Sequence, residues 1–321
     1  MVLKIGLIDV DNHKKLDKCF PNLPLMKLSA HHKQEGHQVG WWESGKHYDV
    51  VYMSKVFSFT PDFDEVVDAD IIIKGGTGYA ISLKDGKEGF DQYQHVNLPY
   101  EIEHIFPDYS LYGIENTAYG FMTRGCPRGC GFCHVEAKEG RRSIKVADLN
   151  EFWDGQKNIQ LFDPNTLACK EWESVLQQLI DSGAWVDFNQ GVDIRVLTKE
   201  KAKMLQQIKI KHVHFAFDRY QDKNIIESKL KIFKEETGWY KDKVSVYVLC
   251  NFDTTIDQDL ERIMFIRSLG FNPYVMRYNK ENIPRGSVIN KIARWVNNKT
   301  FLWKYETFED YCEAYDKGLT W

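Results

Sequence analysis

The feature that most constrains the fold is a short apolar strand followed by a helical segment, a unit that occurs six times after about residue 116. Such repeats predict parallel strands with helices packed against them. Six units predict an open, partial (β/α)6 barrel over residues 116–278, with ligands at the carboxyl ends of the strands. The candidate strands are AYGFMT, NIQLFD, WVDFNQ, HVHFAFD, VSVYVLCNF and NPYVMRY.

The first 115 residues predict a separate, smaller domain of Rossmann-like form. Strands and a helical stretch alternate in KIGLIDV, LPLMKLSAHHKQEG, YDVVYM and ADIIIKGG. Residues 86–115 are polar and carry prolines, which indicates a linker and a boundary near residue 115. Residues 279–321 form a tail rich in Trp and Tyr that we expect to pack on the barrel. The predicted fold class is α/β, divided into residues 1–115, 116–278 and 279–321.

Composition and charge narrow the cellular setting. The chain has 321 residues and a net charge of −4, which gives no general attraction to nucleic acid or to an anionic membrane. No run approaches the roughly 18 apolar residues of a membrane span, and no signal peptide is apparent. We therefore expect a cytoplasmic protein with no membrane partner. Its seven cysteines are an odd number in a reducing compartment, so disulfides are not expected.

Three of the cysteines are clustered in TRGCPRGCGFCHV, where Cys126, Cys130 and Cys133 fall within eight residues. Three thiolates at this spacing can hold a cubane iron–sulfur cluster and leave one iron open to another ligand. Zinc held by the three cysteines and His134 is an alternative. The CxxCH pattern of haem attachment would leave Cys126 unused, and a CGFC redox pair belongs in a thioredoxin fold, which this pattern does not predict.

This CxxxCxxC motif, with an aromatic residue before its last cysteine and a position after the first barrel strand, resembles that of the radical S-adenosylmethionine (SAM) superfamily. The resemblance implies a [4Fe-4S] cluster on Cys126, Cys130 and Cys133, with SAM bound to the open iron. It further implies reductive cleavage of SAM to a 5′-deoxyadenosyl radical that abstracts hydrogen from a substrate, which remains unidentified. Phe132 would touch the adenine ring. An external electron donor of flavodoxin or ferredoxin type is implied as partner.

The resemblance extends through LFDPNTLAC, DFNQGVDIRVLT and FAFD to radical SAM proteins of bacteria and phages that carry an N-terminal cobalamin-binding-like domain. SAM carries charged and hydroxyl groups, so its site needs polar side chains at strand ends. We expect Asn189, Gln190 and Arg195 to contact SAM, and Asp163 and Asp218 to be shared with substrate. Helix caps and turns favour the same residue types. The cofactor-binding candidates are Phe132, Asp163, Asn165, Asn189, Gln190, Asp193, Arg195 and Asp218.

The likeness of the N-terminal domain raises the question of cobalamin. Asp11, Asn12 and His13 follow the first strand, and Ser54 and a Gly-Gly pair follow later strands, as in base-off cobalamin sites. Leu16 stands where the first glycine of that motif belongs, although close backbone approach requires a residue without a Cβ. We therefore expect no tight cobalamin binding, although Asp11 is suitably placed in sequence to orient His13.

The segment between Tyr274 and Tyr305 is basic. It holds seven Lys or Arg residues and one acidic residue, with Trp295 and Trp303 interleaved. Basic side chains beside aromatics indicate nucleic-acid or phosphate contact, while an amphipathic terminal helix explains the same pattern. The substrate is accordingly expected to be anionic or nucleic-acid-derived, if this surface binds it. The alternative function is that of a non-catalytic protein that binds zinc and nucleic acid.

Overall fold

The computed structural model of the chain describes residues 1–13, 20–84 and 87–320. The fold is mixed α/β with parallel sheets, as predicted. The strands are Lys4–Asp9 (β1), Gln38–Trp41 (β2), Tyr48–Ser54 (β3), Ala69–Gly75 (β4), Ile81–Lys84 (β5), Lys87–Phe90 (β6), Thr117–Gly120 (β7), Thr123–Arg124 (β8), Ile144–Lys145 (β9), Asn158–Leu161 (β10), Trp185–Phe188 (β11), Lys209–Ile210 (β12), Val213–Ala216 (β13), Val244–Cys250 (β14) and Asn272–Arg277 (β15).

Helices lie between most of these strands. They are Leu23–Gln34 (α1), Thr77–Ala80 (α2), Tyr100–Glu103 (α3), Val135–Glu139 (α4), Trp172–Ser182 (α5), Lys199–Gln207 (α6), Lys223–Thr237 (α7), Ile256–Ser268 (α8), Val288–Asn297 (α9), Lys299–Lys304 (α10) and Phe308–Asp316 (α11). In the described part of the chain, no helix is long and apolar enough to cross a membrane.

The chain divides into two compact units. Unit 1 comprises Met1–Arg142 and Val146–Gln160, and unit 2 comprises Ser143–Lys145 and Leu161–Trp321. The predicted boundary at residue 115 lies inside unit 1, which also contains the clustered cysteines. The division into residues 1–115, 116–278 and 279–321 stays a prediction about domains.

Unit 1 is built on a parallel sheet with the strand order β2-β1-β3-β4. One face of β1 packs Ile5 and Leu7 against Leu25 and Leu28 of α1. The alternation of strand side chains turns Ile8 to the other face, where it joins a second cluster. The amide of Asn22 caps α1 by accepting a hydrogen bond from the Leu25 N–H. The predicted alternation of strand and helix is thus confirmed here, with β2 as an added strand.

Unit 2 contains a parallel sheet with the order β13-β14-β15, and β12 pairs with β11. Helices α7 and α8 cover one face of this sheet: Phe215 packs edge-on against Phe233, and Phe217 against Phe265. Helix α8 begins with a capping box in which Thr255 and Gln258 satisfy each other's backbone N–H groups. The six strands predicted after residue 116 all occur as strands of the structure.

The C-terminal helices pack on the edge of this sheet. The Asn297 side chain at the end of α9 accepts a hydrogen bond from the Val275 N–H at 2.7 Å and donates one to the Val275 carbonyl at 3.1 Å. Amide pairing of this kind substitutes for a further strand at the exposed edge of β15. Helix α9 therefore packs against β15 within unit 2, and packing of the tail on a barrel stays a prediction.

Histidine burial in α1 predicts a pH dependence of stability. Burial, together with the neighbouring imidazoles of His31 and His37, lowers the pKa of His32 from 6.5 to about 4. Between these values the unfolded chain binds a proton that the folded chain does not, so stability falls as the pH falls from about 6.5. We expect His32→Gln to reduce the shift of the urea midpoint between about pH 7 and about pH 5.

A surface histidine gives the opposite expectation and serves as the control. A hydrogen bond from His47 to Asp68 raises the pKa of His47, so its contribution to stability is present at low pH and is lost as the pH rises through the raised pKa. His47→Gln should therefore enlarge the same shift of the midpoint. An unchanged shift in His32→Gln would show that His32 is not the group responsible.

Candidate metal centre

The three clustered cysteines lie on one loop of unit 1. Strand β8 ends at Arg124 and α4 begins at Val135, so residues 125–134 carry all three thiols. Cys126 and Cys130 are half-buried and Cys133 is exposed. The Phe132 ring is half-buried within the same loop. The predicted metal ligands and the predicted adenine contact therefore lie on one loop.

A carboxylate closes the base of this cysteine loop. Glu139 accepts hydrogen bonds from the Gly125 N–H at 3.0 Å and from Arg124 Nη1 at 3.1 Å. The Cys126 N–H donates to the Gly140 carbonyl at 3.1 Å, so backbone and side-chain hydrogen bonds tie the start of the loop to the end of α4. Gly125 has φ +83°, and a Cβ there would overlap the Arg142 carbonyl oxygen. Only glycine fits that position.

Arg124 is itself held from several sides. Its guanidinium lies over the Phe121 ring, 3.9 Å from the centroid, and pairs with Glu103 at 2.9 Å. A cavity of about 150 Å³ in unit 1 is lined by Arg124, Glu103, Lys27 and neighbouring residues. Burial lowers the pKa of Lys27, which sits against Glu103. Charged groups that are partly desolvated and mutually paired make a rigid base for the loop.

A tight turn places the second and third cysteines next to each other. The Cys133 N–H donates to the Cys130 carbonyl at 2.9 Å, which is the i to i+3 bond of a β-turn. Gly129 precedes this turn with φ +57°, where a Cβ would collide with the Glu136 carboxylate. Glu136 in turn pairs with Arg141. The backbone thus brings Cys130 and Cys133 close together in space as well as in sequence.

The donors on this loop suit a cluster with three thiolate ligands. Cysteine thiolates hold iron–sulfur clusters, and three of them leave one iron for another ligand. Among the residues that the structure describes, no group of three His, Cys, Asp or Glu side chains is already gathered around one point. Metal sites can form together with their metal, so the three thiols remain the candidate ligands.

Three of the predicted SAM contacts form one network in unit 2. Asn165, after β10, donates its amide to Asp193 at 3.1 Å. Arg195 donates its Nε to Asp193 at 2.8 Å and its Nη1 to Asp222 at 3.0 Å. Burial opposes the charge of Arg195, but the two carboxylates outweigh it and raise its pKa. Asp222, which sequence analysis did not single out, lies in the turn Tyr220–Asp222 and completes the network.

Asp218 lies at the end of β13 and is held by the next strand. Its carboxylate accepts a hydrogen bond from the Leu249 N–H at 3.1 Å. Burial raises the pKa of Asp218, against the opposing charges of Arg262 and Arg195. Arg262, also missed by sequence analysis, is fully buried and donates to the carbonyls of Phe217, Asp218 and Leu249, each at 2.7 Å. Arg262 therefore fixes the carboxyl ends of β13 and β14.

The remaining predicted contacts differ in their surroundings. Asp163 is buried and accepts a hydrogen bond from the Thr166 hydroxyl at 3.3 Å, as in a turn. The Asn189 backbone N–H donates to the Leu161 carbonyl at 3.0 Å, so Asn189 lies beside the end of β10. Gln190 is exposed. Asn189 and Gln190 are available at strand ends, whereas Asp163 also has a structural role.

An open cleft lies at the carboxyl ends of β14 and β15. Its volume is about 390 Å³, and its walls combine amide side chains with apolar ones, among them Asn251, Asn279, Ile256 and Val288. Asn251 directly follows β14 and Asn279 lies two residues after β15, with φ of 67° and 53°, a region that non-glycine residues seldom adopt. In α/β proteins this end of the sheet is where ligands bind. Sequence analysis did not single out either asparagine.

The groups expected of a cobalamin site are used otherwise in unit 1. The Asp11 carboxylate accepts hydrogen bonds from the Val56 N–H at 2.5 Å and the Thr60 hydroxyl at 2.6 Å. His13 instead contacts Glu65 at 2.8 Å and packs edge-on against Phe63. Asp11 is therefore not the residue that orients His13, because the loop after β3 donates the hydrogen bonds that its carboxylate accepts.

The serine and glycine compared with a cobalamin site also have structural roles within unit 1. The side-chain hydroxyl of Ser54 accepts a hydrogen bond from the Asn22 amide at 2.8 Å. Gly76 has φ +100°, and a Cβ there would overlap the Lys55 carbonyl, so the glycine is needed for chain packing. Leu16 lies outside the described residues.

The tryptophans of the basic segment take part in packing within unit 2, Trp295 buried and Trp303 half-buried. Trp295 is 0% exposed, and its ring stacks with Tyr311. The Trp303 Nε1–H donates to Asn272 at 2.8 Å, and Lys241 and Arg267 lie over the Trp303 rings. These rings pack within the fold, so the amphipathic-helix interpretation accounts for the pattern.

No family model matches this chain, and no curated protein matches it.

Proposed function

We propose that this chain is a radical SAM enzyme that cleaves SAM reductively at a [4Fe-4S] cluster held by Cys126, Cys130 and Cys133, and abstracts hydrogen from an unidentified substrate. The observation that carries the proposal is three thiols in CxxxCxxC spacing on one loop whose base is closed by Glu139 and Gly140. Three thiolates leave an iron to which SAM can bind. A fourth protein ligand would instead favour an electron carrier.

The proposed architecture is a Rossmann-like N-terminal domain followed by a partial (β/α)6 barrel. The parallel order β2-β1-β3-β4 supports the first part, since β1 and β3 are central and α1 connects β1 to β2. Strands at the six predicted positions, with β13, β14 and β15 parallel and joined by α7 and α8, support the second. The C-terminal helices α9 to α11 then form the tail.

The residues of the chain have separable roles in this proposal. The cluster, when bound, supplies the electron that breaks a carbon–sulfur bond of SAM. The cysteines hold it, and Arg124 with Glu139 fixes the loop on which they stand. Asn165, Asp193 and Arg195 present a preorganised amide, carboxylate and guanidinium that suit the ammonium and carboxylate of SAM. Asn189 adds a half-buried amide and Gln190 an exposed one, and Asp218 offers a half-buried carboxyl whose raised pKa favours retention of a proton.

The direct test uses full-length protein purified and reconstituted without oxygen. We expect a brown protein with iron and sulfide at about four each per chain. With SAM and a chemical or flavodoxin-type reductant it should form 5′-deoxyadenosine, measured by liquid chromatography. A colourless protein that contains one zinc and forms no 5′-deoxyadenosine would contradict the proposal and favour the zinc-binding alternative.

His134 distinguishes the cluster from zinc or haem. It directly precedes α4 and is half-buried, and both alternatives need its imidazole as a ligand. Under the proposal, His134→Ala retains iron and sulfide at about four each, since thiolates alone hold the cluster. Metal analysis of His134→Ala beside Cys133→Ala provides the comparison: loss of metal in both variants would favour a ligand set that includes the histidine.

A further inference from the structure

The face of the sheet β13-β14-β15 opposite α7 and α8 carries histidine and tyrosine side chains. Side chains alternate along a strand, so Phe215 of β13 packs against Phe233 of α7 while its neighbour His214 points to the opposite face. Tyr247 of β14 and Tyr274 of β15 stand opposite each other in the strand register. Parallel sheets normally bury aliphatic side chains on both faces. A face of histidine and tyrosine is a departure that calls for an explanation.

The rings on this face are arranged for stacking. His214 and Tyr247 are nearly parallel, with 4.9 Å between ring centroids and 14° between planes. Tyr274 meets Tyr247 edge-on, with 5.6 Å between the ring centroids, and Tyr274 is 40% exposed. His212 lies 4.8 Å from His214. Together these rings form an aromatic surface whose outer edge, at Tyr274, is exposed to solvent.

Polar groups on the same face are set for hydrogen bonding without positive charge. His212 Nε2 is 2.8 Å from the Ser245 hydroxyl, whereas His214 Nδ1 is buried with no hydrogen-bond partner among the described residues. Burial lowers the pKa of His214, and that of His212 to about 4, so both rings are neutral near pH 7. A buried polar atom without a partner is costly unless a ligand or water satisfies it.

The charges that face this cluster are few and of both signs. Asp187 of β11 acts on the ionisation of both His212 and Tyr247, and Lys299 of α10 acts on both histidines. After burial, Tyr274 and Asp187 contribute to raising the pKa of Tyr247 to about 12. Asp187 and Lys299 bear opposite charges, so these neutral rings suit an uncharged ligand better than a polyanion.

We propose that the His214–Tyr247–Tyr274 face binds a planar heteroaromatic ring with N–H donors, of the nucleobase type. Every base has a π-face that stacks on aromatic side chains, and an N–H on the edge of the ring would satisfy the Nδ1 atom of His214. The identification of this ring as part of the enzyme's substrate rests on the proposed function. The binding itself does not require it.

The test is equilibrium dialysis of the full-length chain with guanosine, uridine or ribose. Saturating SAM is present and reductant is omitted, so that the nucleosides are not bound at a SAM site. We expect guanosine to bind and ribose not to bind. Tyr274→Ala and Tyr247→Leu should each weaken guanosine binding by at least about 5-fold, since loss of one aromatic platform costs that much or more. Tyr240→Ala, an exposed tyrosine away from the face, is the matched control and should bind normally.

Two results would overturn the inference. One is that guanosine and uridine bind no better than ribose. The other is that Tyr274→Ala and Tyr247→Leu bind guanosine as well as Tyr240→Ala does. The proposed function is judged separately, from 5′-deoxyadenosine formation by the wild-type protein. Tyrosine-dependent guanosine binding without SAM cleavage would reject the proposed function and retain this inference, and the reverse pattern would reject this inference alone.

Discussion

Replacing any one of Cys126, Cys130 or Cys133 by alanine is expected to abolish both cluster assembly and SAM cleavage. Each thiol is one of three on a single loop, so its loss leaves two ligands for a cluster that requires three. Mutation of outer-shell partners already costs about 10- to 100-fold in metal affinity or activity, and loss of a direct ligand should exceed that. The measurements are iron and sulfide per chain and the rate of 5′-deoxyadenosine formation after identical anaerobic reconstitution.

Cysteines outside the loop provide the controls. Cys169 and Cys250 are buried in unit 2, where the Cys250 thiol contacts the Val248 carbonyl at 3.6 Å. Burial raises the pKa of both thiols, so they are poor candidates for thiolate ligands. Cys169→Ala and Cys250→Ala should retain iron, sulfide and SAM cleavage. Wild-type rates of SAM cleavage in reconstituted Cys130→Ala would show that the ligand assignment is wrong.

The sequence pattern identified most of the strands because apolar periodicity directly reports which faces are buried. This periodicity is visible in strands that contain enough apolar residues, namely β1, β3, β4 and the six later predicted strands. β2 escaped notice because Gln38 and Gly40 interrupt its apolar character, and the two-residue strands β8 and β9 are too short for any periodicity. The limits of the two compact units depend on contacts between distant segments, which periodicity does not contain.

The loop that carries the cysteines was predictable from spacing, but its supports were not. Glu139 lies 14 residues after Gly125, and only the path of the chain brings its carboxylate to the Gly125 N–H. The Arg195–Asp222 contact likewise joins segments that sequence gives no reason to pair. Ion pairs between distant residues depend on the exact route of the loops. Ligand residues of a local motif are therefore easier to predict than the residues that position them.

The cobalamin comparison shows how local sequence can mislead about partners. Asp11 and His13 are two residues apart, which suggests that the carboxylate orients the imidazole. In the structure, Asp11 is buried and satisfies the backbone of the loop after β3, while His13 contacts Glu65, more than fifty residues away. A buried carboxylate is stabilised by nearby N–H donors, and the Val56 and Phe57 amides supply them.

Replacing Arg262 by methionine is expected to produce the largest loss of stability in unit 2. Arg262 and Asp259 are both 0% exposed, and the guanidinium donates to Asp259 at 2.6 Å as well as to three backbone carbonyls. Removing one partner of a buried ion pair leaves an uncompensated charge and typically costs about 3–5 kcal/mol. Hydrogen exchange of the 213–218 and 244–250 amides reports the opening of these two strands.

Two further variants separate the effect of burying the ion pair from the effect of removing a positive charge. Lys231→Met breaks an exposed pair with Glu227 on α7 and should cost less than about 0.5 kcal/mol. Arg262→Lys keeps the positive charge but cannot donate to all the carbonyls at once. We therefore expect its loss of stability to lie between those of Arg262→Met and Lys231→Met. Exchange should accelerate first at Asp218 and Leu249, whose backbone the guanidinium holds. If Arg262→Met exchanges no faster there than Lys231→Met, the buried arginine does not fix the strand ends, and the placement of Asp218 must depend on the Leu249 N–H alone.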